Sequence, residues 1–503
     1  CSSRRIRMPP TIVTIPQALP DEFYRSVFLF APKEFVPDAS FQTLDDCFLF
    51  IPHSTAGSPM TQEIEWEDQA IAISDVVVFW LPADASDEHI LKCSVAFGRW
   101  CSSGKVIYGR EGGDAEQRFG HLDVLARNEK LTIHPTFDDC IQDFNKKTLN
   151  KEGRVSPGQL RRAGERCVPL HVWQHVAFRA WVANMKRVGN RLDGARFEWA
   201  FRVGPSKAFT LYWAVHADVF VAAEGRNKAN EIVIGRNDIK CVLPYRLPPP
   251  PPGGGEAGAL DAEVVLIKEF RSPATTADGF IHELPGGSGF RGADPLAEAA
   301  HELQEEVGVA IPAEDLPRRV RAHGPRQLAG TTSCHEAHLF SVGLTAEEMQ
   351  ECRRRAEEKE TLGVEAESER TYIEVVRFSE AFESNLVDWS MLGMMHSVLH
   401  QALTDSSKGR TRDGHSSLEE PVSNNNNKIT KLPAPARPAG QEEEGSRRGQ
   451  GASGALPSLR SNNNKKKIRT TGLERRPEPR ARREDDPRVQ QQRRHSLEKV
   501  LNR

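Results

Sequence analysis

Glu298, Glu302, Glu305 and Glu306 crowd into one short stretch of the chain, with no Lys or Arg between them. At roughly 100° per residue they share an arc of about 100° on a helix surface. Like charges three and four apart destabilise a helix by roughly 0.2–0.5 kcal/mol per pair, so such crowding needs a reason. The simplest is a hard divalent cation, Mg²⁺ or Mn²⁺, which takes oxygen ligands and bridges substrate phosphates. The alternative is an acidic face turned to solvent. Just upstream stand Gly286 and Gly287, whose bare backbone can approach phosphate oxygens closely. Glu283 lies beside that loop as a further candidate carboxylate for the metal. Arg271, earlier still, could reach a phosphate or a carboxylate, or simply sit on the surface.

The elements that must position these groups carry clear signals. Asp294 suits an N-cap, Pro295 the first helical position and Gly308 a left-handed end. Leu296, Ala299, Ala300, Leu303 and Val307 share an apolar face. A strong strand, Glu263–Glu269, precedes the glycine loop. Further upstream the pattern predicts an aromatic-rich helix over His171–Asn190. Short strands are expected over Phe197–Val203, Thr210–Val215, Val219–Ala223, Ile232–Ile234 and Lys240–Pro244. The proline and glycine run at 247–257 reads as an exposed insertion. Trp389–His400 reads as a closing helix.

The segment from Gly286 to Val309 resembles the box of the Nudix hydrolases, G-x5-E-x7-R-E-U-x-E-E-x-G-U with U aliphatic. Gly287, Glu302, Leu303, Glu305, Glu306, Gly308 and Val309 fall on it in register, while Ala293 and His301 replace the box Glu and Arg. The resemblance implies an α/β/α sandwich with a mixed sheet and a divalent cation held by Glu302, Glu305 and Glu306, with Glu283 nearby. From their own chemistry, Arg271, Gly286 and Gly287 are the candidate substrate contacts. Pro325, sixteen positions after Val309, resembles the ADP-ribose pyrophosphatase branch. That branch draws its catalytic base from a late acidic segment. Here Glu365, Glu367, Glu369 and Glu374 cluster, and Glu369 is the preferred base, with Glu305 as the second catalytic carboxylate.

The N-terminal part reads differently. Apolar runs at Ser26–Ala31, Phe48–Pro52, Asp75–Pro82, Lys105–Gly109 and Leu131–His134 alternate with helical stretches such as Gln62–Ile73 and His89–Trp100. That alternation predicts an open parallel α/β sheet. Ligands of such sheets bind beyond the strands' carboxyl ends, here Pro52-His53-Ser54, Pro82 to Glu88 and Gly109-Arg110-Glu111. The segments at 63–67, 74–82, 95–100 and 121–123 resemble the nucleoside 2-deoxyribosyltransferase-like domains. Where that superfamily carries a nucleophilic Glu, this chain has Ala96. Alanine offers no nucleophile, which leaves a nucleoside- or nucleotide-binding module or a scaffold. Glu67, Asp84, Asp87 and Glu88 are the nearby carboxylates that could substitute.

The 503 residues thus divide into a disordered or truncated stretch 1–19, a first domain 20–160, a second domain 165–404 and a tail 405–503. Apolar residues in the tail are too few to offset ordering entropy. Its Lys and Arg outnumber Asp and Glu by about ten, against a net charge of −3 overall. The basic runs are expected to be solvated, with contact to nucleic acid, an anionic membrane or an import receptor as alternatives. Nine scattered cysteines without a C-x-x-C pair predict a reducing, cytoplasmic setting and no zinc site. No apolar run reaches the length of a membrane span. Because the chain begins at Cys1, organelle targeting stays open. The expected partner is a nucleotide-type small molecule, with homodimerisation left open.

Overall fold

The computed structural model describes residues 9–32, 44–54, 59–112, 115–150, 155, 159–249, 258–288, 294–363, 370–384 and 386–412. Residues up to Lys408 make up one unit, and Gly409–Asn502 another that lies almost wholly outside the described residues.

The first part is built on a parallel sheet. Its elements in chain order are β1 (Thr11–Ile15), β2 (Glu22–Phe23), β3 (Ser26–Phe30), β4 (Phe48–Ser54), α1 (Met60–Ile73), β5 (Val76–Leu81), α2 (Asp87–Trp100), β6 (Val106–Arg110), α3 (Ala115–Asn128), β7 (Ile133–His134) and α4 (Phe137–Thr148). The six strands pair in the order β1-β4-β3-β5-β6-β7, every neighbour parallel. Every side chain of β3 and β5 is buried, as strands covered on both faces require. Phe28, Phe79, Phe97 and Phe119 pack on one face with α1, α2 and α3, while Val78, Trp80 and Phe144 pack on the other with α4. Leaving edge strand β1 aside, the order is second, first, third, fourth, fifth. The topological switch, where such sheets bind ligands, lies between β3 and β5. Disorder was the expectation for 1–19, yet Thr11–Ile15 pairs with β4: Val13 and Ile15 alternate into the core and give the strand its register.

A short strand β8 (Arg161–Arg162) pairs antiparallel with β2. Two helices follow, α5 (Leu170–Trp173) and α6 (Val176–Arg187). The single helix expected over His171–Asn190 is broken because His175 turns extended and its ring caps Ala177 N–H. Next come β9 (Arg191–Val203), β10 (Phe209–Val221) and β11 (Arg226–Arg236), an antiparallel sheet. The two strands expected within 210–223 are one, interrupted by a bulge between Ala217 and Val219. Trp213 and Val215 bury against Trp173 and Phe178.

The remaining elements are β12 (Ile239–Arg246), β13 (Glu263–Phe270), β14 (Phe280–Glu283), β15 (Gly286–Ser288), α7 (Pro295–Val307), α8 (Leu316–Arg319), β16 (Val320–Gln327), β17 (Glu336–Gly343), α9 (Ala346–Glu358), β18 (Thr361–Leu362), β19 (Thr371–Arg377), α10 (Phe378–Glu383) and α11 (Trp389–Arg412). They form a mixed sheet, β16-β17-β12-β13-β19-β18, with β14 on β13 and β15 on β12. Val242, Val265 and Ile267 face α7 and α9 on one side; Leu243, Val264 and Leu266 face α10 and α11 on the other. This helix–sheet–helix layering positions the site. Among the described residues no helix is long and apolar enough to cross a membrane.

Candidate functional site along helix α7

Helix α7 begins and ends where its sequence says. The Asp294 side chain accepts Leu296 N–H, Pro295 opens the helix, and Gly308 closes it at φ +74°. Ala299, Leu303 and Val307 bury against the sheet, which fixes the helix's rotation and hence the direction of its carboxylates.

That rotation does not turn all the glutamates to solvent. Glu306 is buried at 7% exposure, and its Oε2 accepts the Gly286 N–H at 2.7 Å. Glu302 lies against Gly287, where a Cβ would stand 2.4 Å from Glu302 Oε1. Gly286 is equally constrained, since a Cβ there would meet Lys240 O at 2.1 Å. The reason is ladder register: Gly286 and Gly287 pair with Cys241 and Lys240 of β12, directly beneath the helix. Glu298 reaches down to Lys240 Nζ at 2.8 Å. A purely solvated acidic face is thereby excluded for this helix.

The β13–β14 hairpin adds more acid on the same side. Ile267 pairs with Glu283 and Glu269 with Ile281. Paired residues share a face, so Glu269 and Glu283 point the way Ile267 does, toward α7. Arg271 is clamped between them, at 2.8 Å from Glu269 Oε2 and 2.9 Å from Glu283 Oε1. The carboxylate option for Arg271 is therefore realised. On the opposite face, His282 Nε2 meets Glu374 Oε2 at 2.8 Å. That hydrogen bond, with help from Lys268, holds the Glu374 carboxyl below its ordinary value.

Glu283, Glu302 and Glu306 also act on one reporter. The Cys241 thiol is pushed up to about 12, first by burial and then by the field of Glu283 and Glu306, with Glu302 adding to it. Glu305 stands apart, its Oε2 3.2 Å from His301 Nδ1 on a more exposed part of the helix. Ala293, Glu365, Glu367 and Glu369 lie outside the described residues. Thus Glu283, Glu302, Glu306, Gly286, Gly287 and Arg271 are brought together. Sequence inspection had passed over Lys240 and Glu269, because both look like ordinary strand residues until pairing sets which face they occupy.

As donors for a metal the set is chemically suitable, being all oxygen and acidic and set against glycines that a Cβ would obstruct. Among the described residues, however, no three His, Cys, Asp or Glu side chains converge as a ready-made metal group.

At the carboxyl ends of the parallel sheet, Glu111 Oε2 accepts Ala83 N–H at 2.9 Å, and Arg118 donates to Ala83 O and Ala85 O at 2.8 and 2.7 Å. These bonds tie the β5 and β6 ends together. Ala96 packs partly buried against the helix side of the core. Of the possible substitutes, Glu67 is 3.9 Å from Lys92 and its carboxyl is raised by burial, and Asp87 is paired with Arg118. Asp84 and Glu88 are exposed. An open depression of about 410 Å³ between α2 and α3 holds Ser94 and His121, whose Oγ and Nε2 are 2.9 Å apart. Ser94 Oγ also lies 2.7 Å from Ile90 O, a second acceptor for its proton.

A scan against protein-family models finds no match to this chain, and a search of curated proteins finds none either.

Proposed function

We propose that the chain is a Nudix-type, divalent-metal-dependent hydrolase that cleaves the diphosphate of a nucleoside diphosphate joined to another group, with ADP-ribose as the leading substrate. The observation that supports it most is the burial of Glu306 on the Gly286 N–H with Glu302 against Gly287: part of the acidic face of α7 is turned onto the glycines of strand β15. Glu302 and Glu306, with Glu283 and Glu305 beside them, would hold Mg²⁺ or Mn²⁺. When bound, the ion polarises the diphosphate and lowers the pKa of an attacking water. Gly286 and Gly287 would shape the backbone next to the phosphates. Arg271, shared between two carboxylates, is a cation placed to meet a substrate phosphate. Glu369 takes the proton. The N-terminal part, with Ala96 in place of a nucleophile, serves as a nucleotide-binding module.

A second reading, a nucleotide sensor with little or no turnover, is favoured by one observation: Arg271 already neutralises Glu283. One experiment separates the two. The full chain is incubated with Mg²⁺ and ADP-ribose and assayed for AMP. Turnover lost in Glu306→Gln supports the hydrolase; saturable binding without AMP supports the sensor. If calorimetry detects no Mg²⁺ or Mn²⁺ uptake, with or without nucleotide, the hydrolase is rejected.

A further inference from the structure

A second group of charges sits away from α7, where the turn before β6 meets α5 and β9. Gly104 occupies that turn at φ +76°, and a Cβ on it would stand 2.4 Å from Arg202 Nη1 and 2.7 Å from His171 Cε1. Lys105 follows, buried, donating from Nζ to Ile71 O at 3.3 Å and Ala72 O at 2.5 Å at the end of α1. Two basic side chains from two separate elements therefore meet at one glycine, and the Lys105 amine lies close enough to act on His171.

No acid in the described residues answers them. Arg202 and His171 make no hydrogen bond or ion pair there, and Arg202 Nε and His171 Nε2 are buried without a partner. Glu129 is held by Lys207, and Glu165 by Lys186 and Trp173. Burial lowers Lys105 to about 7 and lowers Arg202, and burial together with Arg202, Lys105 and His175 presses His171 down to about 3. Buried cationic groups without a counter-charge are costly, and a bound anion removes that cost. Arg202 and His171 are partly exposed as residues, while Arg202 Nε and His171 Nε2 themselves are buried.

We propose that Arg202, His171 and Lys105 form a binding site for a phosphate-type oxyanion, distinct from the α7 site and independent of the activity proposed there. The Arg202 guanidinium supplies a planar pair of donors suited to phosphate oxygens. His171 Nε2–H supplies another donor. Lys105 contributes charge at short range while its protons stay on the α1 carbonyls. Gly104 is required because any side chain there would displace the arginine.

The test uses the full chain, with sodium phosphate and AMP as probes and sodium chloride at matched ionic strength as the control. Phosphate is expected to bind by calorimetry, to raise the unfolding temperature beyond the chloride control, and to shift the His171 imidazole resonances. Arg202→Met is expected to weaken binding about tenfold or more, the scale of a lost hydrogen bond to a charged group. His171→Asn gives an independent weakening should Arg202→Met fold poorly. Binding of inorganic phosphate alone assigns the site to the free ion. Tighter binding of AMP, again lost in Arg202→Met, assigns it to a nucleotide phosphate. Absence of phosphate and AMP binding, or binding unchanged in both variants, overturns the proposal.

Discussion

Glu306 accepts a hydrogen bond from a backbone amide, Gly286 N–H, and that lets its structural role be separated from the chemical role proposed for it. Glu306→Gln keeps an oxygen to accept Gly286 N–H, so we expect a folded protein that no longer takes up Mg²⁺ or releases AMP. Glu306→Ala leaves a buried donor unpaired. It should lower stability by about 1–3 kcal/mol in a denaturant titration. The neighbouring glycines make a sharper contrast. An alanine at 286 collides with the backbone of β12, which cannot yield, whereas one at 287 meets the end of the Glu302 side chain, which can. Gly286→Ala is therefore expected to lower the unfolding temperature strongly, and Gly287→Ala to spare it while weakening divalent-metal binding. Equal losses of stability in both would contradict this geometry.

Among the elements, α7 was the most legible in the sequence. Its cap, its first-turn proline, its left-handed end and its apolar stripe are local features, and the structure reproduces them. Asp294→Ala is expected to cost about 1 kcal/mol through loss of the cap, measured by chemical denaturation. Helix α1 ends on a less legible device, the buried Lys105 amine against its last carbonyls. Burial holds this amine at about 7 in the folded chain, against 10.5 ordinarily. Between those values the unfolded chain binds a proton that the folded chain does not. Stability should therefore rise with pH across that window, and below it the burial cost is felt in full. Lys105→Met should flatten this part of the stability–pH curve; an unchanged slope would show that the amine does not titrate there.

At the scale of the whole molecule, the segment after α4 is tied back to the parallel sheet by a buried ion pair between Arg161 and Asp75. Asp75 also accepts Ser26 N–H at 2.8 Å, and the Arg161 guanidinium lies 4.9 Å from the centre of the Phe23 ring. Removing one partner of a buried pair strands the other's charge and costs about 3–5 kcal/mol. Arg161→Met is thus expected to be among the more destabilising single changes, visible as a large fall in unfolding temperature. Replacing both residues with apolar ones should recover much of the loss. The parallel strands themselves were readable as buried apolar runs, because each needs only local composition to announce it. Edge strand β1 was not: Thr11–Ile15 is short and has β4 on one side only.

The sequence by itself determined where α7 starts and stops, which glutamates it carries, and that apolar strands alternate with helices in the first part. Those properties depend on neighbours three or four positions away, or on one residue's preferred φ. Tertiary structure alone decided that Glu306 turns inward, that Arg271 is shared by Glu269 and Glu283, and that His171 and Arg202 meet at Gly104. Each of these depends on strand register or on packing between segments far apart in the chain, and a one-residue slip in pairing sends a side chain to the opposite face.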